Sequence, residues 1–253
     1  MTAVPPAGSA TSVPILDIEG LGKTFGSFHA LRDVTCSITK DEILGIIGPN
    51  GAGKTTLFNL IAGAFKPTSG TILFDGSTIT NLPPHRRLRK GIARTFQLIR
   101  PFGSMTIRDN VMTAAFGSGA SRREARERSD EMLDRLGLTA LAEKPAAGVN
   151  AVEGKRLEVA RALATKPKVI LLDEIFSGLN TDEVDELVGI VKRVRADGVT
   201  VLVIEHNVRA IRSVADRVMA IDAGRLVSEG SADHVLADPQ VIESYLGGAH
   251  AGA

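Results

Sequence analysis

Apolar and polar residues alternate over 15–25 and again over 28–38, with Gly26-Ser27 between the two runs. A period of two predicts half-buried strands, and the short turn predicts that they pair antiparallel. Ile43-Leu44-Gly45-Ile46-Ile47 has no polar interruption, which predicts a strand covered on both faces. Comparable runs recur at 169–172, 200–204 and 218–221, and helical spacings fall at 57–61, 181–196 and 208–214. Helices alternating with buried strands predict an α/β fold with a parallel sheet and a ligand site at the carboxyl ends of its strands. Pro67-Thr68-Ser69-Gly70 and Asp75-Gly76 are turns around a further strand, Thr71-Ile72-Leu73-Phe74. Pro83-Pro84 opens a basic helix over 85–90, whose charges are expected to form a solvated face.

Gly91-Ile92-Ala93-Arg94-Thr95-Phe96-Gln97 reads as a short strand ending in a polar residue, and beyond it the pattern changes. Helical spacing dominates over 106–116, over 121–136, where Ser121 and Glu124 form a capping box, and from about Glu153 onward. The expected organisation is therefore a core of 14–97 and 166–247 with a helical block, 98–165, inserted in it. Residues 1–13, rich in Ala, Pro and Ser, are expected to be a flexible lead-in and no signal peptide. Two short helices over 231–237 and 239–246 close the chain before a frayed tail.

At 253 residues and 43% apolar composition, the chain can bury a large core. A formal net charge of +1 gives no molecule-wide field to attract nucleic acid or anionic lipid, so nucleic acid is excluded as the main partner. Cys36, the single cysteine, lies at an apolar position of its strand and fits a small buried side chain in a reducing compartment. No apolar run reaches the roughly 18 residues of a spanning helix, so work at a membrane needs another chain to cross it.

The candidate chemistry begins at Gly48-Pro49-Asn50-Gly51-Ala52-Gly53-Lys54-Thr55-Thr56, between a buried strand and a helix. This matches G-x-x-x-x-G-K-[ST], in which small residues let backbone amides surround phosphate oxygens at a helix N-terminus. Lys54 is expected to reach the β- and γ-phosphates, and Thr55 to hold Mg²⁺. Asp173 and Glu174 end an apolar strand. Asp173 suits Mg²⁺, directly or through water, and Glu174 suits orienting and deprotonating an attacking water. His206 and Gln97 also follow strands; the first is placed to bond a γ-phosphate oxygen, the second to touch Mg²⁺ or the water. His29, His85, His234 and His250 lack partners at metal-ligand spacing, so no zinc site is expected.

These elements, in this order, resemble the nucleotide-binding subunit of ATP-binding cassette (ABC) transporters over nearly the whole chain. The resemblance implies a P-loop NTPase (RecA-like) core, an N-terminal antiparallel β-subdomain and an inserted α-helical subdomain. It makes Gly48 to Thr56 the Walker A loop, Asp173 and Glu174 the Walker B pair, Gln97 the Q-loop glutamine and His206 the switch histidine. Phe25 resembles the aromatic residue that stacks on adenine, and Ser177-Gly178-Leu179-Asn180 the D-loop at the dimer interface. Implied besides are ATP and Mg²⁺, a second cassette, permease chains, and a cytoplasmic, peripheral place on the inner face of the cell membrane. Gly91 to Gln97, Arg100-Pro101-Phe102, Met105-Thr106 and the ending Asp238 to Gly247 are similar to the branched-chain amino acid importer branch. His206-Asn207-Val208-Arg209 is similar to the lipopolysaccharide-export ATPases, the alternative branch.

One element departs from the family pattern. Where L-S-G-G-Q is expected, the chain reads Val149-Asn150-Ala151-Val152-Glu153, and Ile175 stands where proline is usual. In the family that motif opens a helix onto the γ-phosphate held by the opposite subunit. Asn150 can still donate a hydrogen bond, whereas Val152 is expected to hinder close approach and any positive φ. A one-residue shift of register would bring Gly154 nearer. The change predicts an asymmetric pair, a heterodimer being favoured over a homodimer; a nucleotide-sensing regulatory cassette is the other outcome it allows.

Overall fold

The computed structural model describes residues 14–95 and 101–247. Its strands are β1 (Pro14–Phe25), β2 (Phe28–Thr39), β3 (Ile43–Ile47), β4 (Ser69–Phe74), β5 (Ser77–Thr78), β6 (Ile92–Arg94), β7 (Val169–Asp173), β8 (Thr200–Ile204), β9 (Arg217–Asp222) and β10 (Arg225–Gly230). The helices are α1 (Lys54–Ala62), α2 (Pro84–Lys90), α3 (Ile107–Gly117), α4 (Arg122–Arg135), α5 (Ala151–Leu163), α6 (Thr181–Ala196), α7 (Val208–Val214), α8 (Ala232–Ala237) and α9 (Pro239–Gly247).

Two sheets are present, an antiparallel one in the order β2-β1-β4-β5 and a six-stranded one in the order β10-β9-β3-β8-β7-β6. The second is parallel except for β10, which pairs antiparallel with β9. Every residue of β3, β7 and β8 is buried, because both faces of this sheet are covered. Successive side chains divide between two cores. Ile43, Ile47, Ile170, Leu172, Val201 and Val203 face a core shared with α3 to α7. Leu44, Ile46, Leu171, Leu202 and Ile204 face the antiparallel sheet and α1. Cys36 belongs to the second core, and burial pushes its thiol up to about 12, out of reach of thiolate chemistry.

The predicted hairpin is present, with Phe25 opposite Phe28 across the turn. The capping box of Ser121 and Glu124 opens α4, and Thr106 caps α3. Two features differ from expectation. The basic helix α2 is not simply a solvated face: Arg87 is 1% exposed and donates to the carbonyls of Leu60, Ile61, Thr80 and Leu82. Its guanidinium closes the open C-terminal end of α1, where carbonyls lack helical partners. Burial lowers its pKa to about 10, so it stays charged at neutral pH. The edge strand β10 is the other; its mixed sequence, Arg225-Leu226-Val227-Ser228-Glu229, carries too little alternation to be read alone, and pairing with β9 defines it.

Candidate functional site

β3 delivers the chain into the loop of Gly48 to Thr56 at the carboxyl end of the parallel sheet. Gly48, Gly51 and Gly53 have φ of +148°, +80° and +108°, a backbone that L side chains rarely adopt. Space reinforces the choice: a Cβ on Gly48 would lie 2.0 Å from the Ile221 carbonyl oxygen, and one on Gly53 2.5 Å from that of Ala30. Pro49, Asn50 and Gly51 carry the loop across its outer edge, while Ala52 is buried beneath it. Lys54 opens α1 and folds back over the loop, its Nζ donating to the carbonyls of Gly48 (2.7 Å) and Pro49 (2.9 Å). Burial lowers the pKa of this ammonium, and the nearby Glu174 and Asp173 carboxylates oppose that shift. Thr55 is exposed at the start of the helix and Thr56 half-buried.

Asp173 ends β7 and is buried. Its Oδ2 accepts from Arg94 at 2.8 Å and its amide donates to Thr95 Oγ1 at 3.2 Å. Its Oδ1 is buried with no hydrogen-bond partner, the condition of an oxygen built to meet a cation or its water. Among the described residues no cluster of three or more acids, histidines or cysteines could hold a metal by itself. That fits Mg²⁺, which is usually bound through one or two protein oxygens together with substrate phosphates. Asp173 Oδ1 and the exposed Thr55 are the groups whose chemistry would fit such a set.

Glu174 sits at φ +50°, a left-handed turn uncommon outside glycine. Three contacts hold that turn. The Glu174 amide donates to Ile204 O at 3.0 Å, and Lys155 Nζ on α5 donates to the Glu174 carbonyl at 3.0 Å. The amide of Phe176, two residues on, donates to Glu205 Oε1 at 2.7 Å. Glu205 is completely buried, and burial raises its pKa. His206, beyond β8, is exposed, with Nδ1 4.0 Å from Glu174 Oε1. The loop after β3, His206 after β8 and the acid pair after β7 thus lie along three successive strands.

Phe25 is 44% exposed at the hairpin tip, in edge contact with Phe65 (ring centroids 5.4 Å apart) and beneath Lys23. It is a partly exposed aromatic ring and no part of the buried core. Asn150 caps α5 in a complete capping box: its Oδ1 accepts from the Glu153 amide at 2.9 Å, and its own amide donates to Glu153 Oε2 at 2.9 Å. Ala151 and Val152 are therefore the first helical residues, and Val152 has no positive φ, the conformation a β-branched residue disfavours. Gly154 is buried within the helix, one turn beyond the cap. Ser177, Gly178 and Leu179 run to Asn180, which caps α6 in a second capping box with Glu183. Gln97 lies outside the described residues.

Arg94, Lys155 and Glu205 escaped the sequence reading. Glu205 had a signal, since it is the first polar residue after a wholly apolar strand and precedes the histidine that drew attention instead. Arg94 and Lys155 are cations in polar runs, and only the fold reveals what they touch.

A glycine cradle closed by a lysine, served by an acid pair on a neighbouring part of the same sheet edge, belongs to the P-loop nucleoside triphosphatases. The comparisons with known proteins narrow this class. The ABC transporter family model matches residues 31–177, and the model described as branched-chain amino acid ATP-binding cassette transporter matches residues 225–251. The chain is 37% identical over 252 residues to the high-affinity branched-chain amino acid transport ATP-binding protein BraF of Pseudomonas aeruginosa, covering 93% of this chain and 99% of that protein. It is 35% identical over 252 residues to LivG of Escherichia coli, which carries the same description, at the same coverage. The lipopolysaccharide export system ATP-binding protein LptB of Haemophilus influenzae is 35% identical over 234 residues, covering 92% and 97%. The ADP conformation of MJ1267, an ATP-binding cassette of an ABC transporter, superposes with a TM-score of 0.85 at 32% identity, covering 93% of this chain and 99% of that one. The chain belongs to the ABC transporter ATP-binding family, in its branched-chain amino acid cassette branch, and is an ATP hydrolase of the transport type. Among the described residues no helix is long and apolar enough to cross a membrane.

Proposed function

We propose that this chain powers the import of branched-chain or other amino acids, hydrolysing ATP with Mg²⁺ at the inner face of a membrane crossed by separate permease chains. The observation that carries the reading is the convergence of Lys54, Asp173, Glu174 and His206 at one edge of the parallel sheet, beside the glycine loop. In this reading Phe25 stacks on adenine and the amides of Gly51 to Thr56 surround the phosphates. Lys54 moves from the loop carbonyls to the β- and γ-phosphate oxygens. Thr55, Asp173 and Gln97 would hold Mg²⁺, which when bound would supply positive charge to offset that of the phosphates. Glu174 takes the proton of a water as its oxygen attacks the γ-phosphorus; the bond to the β-phosphate oxygen breaks, leaving ADP and phosphate. His206 steadies a γ-phosphate oxygen through the transfer.

The partner cassette supplies the far wall. In this reading the N-terminus of α5, with Asn150, Ala151, Val152 and Glu153, faces the partner's ATP, and Ser177 to Asn180 cross the interface. Asn150 Nδ2 is the donor suited to phosphate, because its Oδ1 is taken by the cap. The valine and the cap carboxylate of this end favour pairing with a different cassette whose signature completes this chain's own site. Beside β6, a mainly apolar groove of about 450 Å³ between the core and the helical block, lined by Ala62, Leu88, Ala93, Phe102, Ala114 and Arg161, suits a permease segment.

The test is to purify the tagged chain from membranes with its permease chains and reconstitute them in vesicles. ATP-dependent accumulation of leucine, isoleucine or valine is expected, and it should be abolished by Glu174→Gln. ATP-driven lipid extraction without amino acid uptake would favour the export reading suggested by the likeness to LptB.

A further inference from the structure

The first amide of the phosphate loop is held by the other end of the chain. Gly48 N–H donates to the hydroxyl oxygen of Tyr245 at 2.8 Å, across 197 positions of sequence. Neither group is there by loose proximity. Gly48 has φ +148° and lies close against the Ile221 carbonyl at the end of β9, where no side chain would fit. Tyr245 is set by α9, whose start is tied by the Gln240 amide donating to Asp238 Oδ1 (2.9 Å) and whose buried Val241 joins the core. The ring stays partly open while the hydroxyl reaches inward; burial raises the pKa of the phenol, and the hydrogen bond from the Gly48 amide opposes that shift. Removing the hydroxyl would leave a half-buried amide unpaired at the point where the strand turns into the cradle.

We propose that Tyr245 is a positioning residue for nucleotide binding: by accepting the Gly48 amide it makes α9 a strut that fixes the mouth of the phosphate loop before nucleotide arrives. This rests on the reading that Gly48 to Thr56 binds the phosphates. It gives the C-terminal segment, far from the loop in sequence, a direct part in nucleotide affinity. Because the loop is shaped in advance, the effect falls on binding and leaves the transfer step alone.

The chain offers its own probe. Tyr245 is its only tyrosine and it has no tryptophan, so tyrosine emission from the unmodified protein reports this contact alone. A contact made in advance predicts that saturating ADP, followed by calorimetry, leaves that emission nearly unchanged. Tyr245→Phe keeps the ring and removes only the hydroxyl. It should weaken ADP binding and raise KM for ATP by about 2- to 10-fold, the range of one neutral hydrogen bond, with kcat within about twofold and only a small fall in Tm. A merely structural tyrosine would lower Tm and leave the KM-against-kcat split unmoved. Unchanged ADP affinity in Tyr245→Phe overturns the proposal, as does a large change of wild-type emission on saturation with ADP, which would mean that the contact is remade and not pre-formed. Lys54→Ala separates the two ideas: if that variant binds ADP as the wild type does, the phosphate-loop reading fails, whatever Tyr245 does.

Discussion

The loop at the end of β3 and the N-terminus of α5 are both suited to phosphate, yet they are built in opposite ways. The first is over-determined from within. Three glycines hold positive φ, two of them (Gly48 and Gly53) against packed backbone, Lys54 is tied to two carbonyls, and Asp173 is clamped by Arg94 and Thr95. The second is an exposed helix end whose amides are partly satisfied by its own side chains, Asn150 and Glu153. A site shaped by the interior exists before its ligand does. A helix end shaped by solvent acquires its ligand only when another chain brings one.

That contrast is most sharply broken at Glu174. If the interior-built half carries the chemistry, Glu174→Gln should lower kcat by about 10²- to 10⁴-fold while ATP still binds, because it removes the proton acceptor and keeps the shape. Steady-state hydrolysis beside equilibrium binding checks this. Retention of a tenth of the rate would move the base elsewhere. Next in size is Gly48→Ala. Its methyl would sit 2.0 Å from a main-chain oxygen at a φ alanine rarely adopts, costing on the order of 2–3 kcal/mol. Thermal unfolding should show Tm lower by about 5–10 °C, with nucleotide affinity lost. The same change at Gly178, where a Cβ would meet nothing within 4 Å, should cost only the strain of its positive φ.

The same contrast explains what the sequence could and could not say. Buried strands advertise themselves, so β3, β7 and β8 were legible to within a residue, and a glycine loop between strand and helix announced the cradle. Chain ends of buried strands were legible as well, which brought Asp173, Glu174 and His206 forward. Arg87 was misread because a basic run looks the same whether its cations meet water or helix carbonyls; the carbonyls it closes belong to α1, more than twenty residues away. Lys155 was overlooked for the same reason, its partner Glu174 being set by tertiary packing. Val152 was read against a glycine pattern, whereas the cap at Asn150 makes its position ordinary helix.

Lys155 joins the two halves, since it stands on the first turns of α5 and donates to the carbonyl of the left-handed Glu174. Lys155→Met keeps the aliphatic stem and loses that bond. The expected result is a fall in kcat of about 3- to 10-fold with little change in KM, since the carboxylate is then aimed less well while the cradle is untouched. Equal losses in Lys155→Met and Lys155→Arg would assign the effect to packing alone; rescue by arginine would assign it to the bond.

The smallest expected effect probes the solvent-built half. Glu153 caps α5 with a carboxylate at the end where, in the proposed dimer, the partner's γ-phosphate arrives, so the cap and the ligand compete for one positive helix terminus. Glu153→Gln keeps the capping box, since glutamine also suits that position, and removes only the charge. Two consequences of opposite sign follow. The isolated chain should lose about 0.3–1 kcal/mol of stability as the charge–dipole attraction disappears, read as a slightly lower Tm. Hydrolysis by the paired cassettes should rise about 2- to 5-fold at low salt, because bound phosphate no longer faces a fixed anion. The gain should shrink as ionic strength shortens the screening distance to about 8–10 Å. A rate that falls with Tm, or a gain indifferent to salt, would mean that the N-terminus of α5 meets no phosphate in the working assembly.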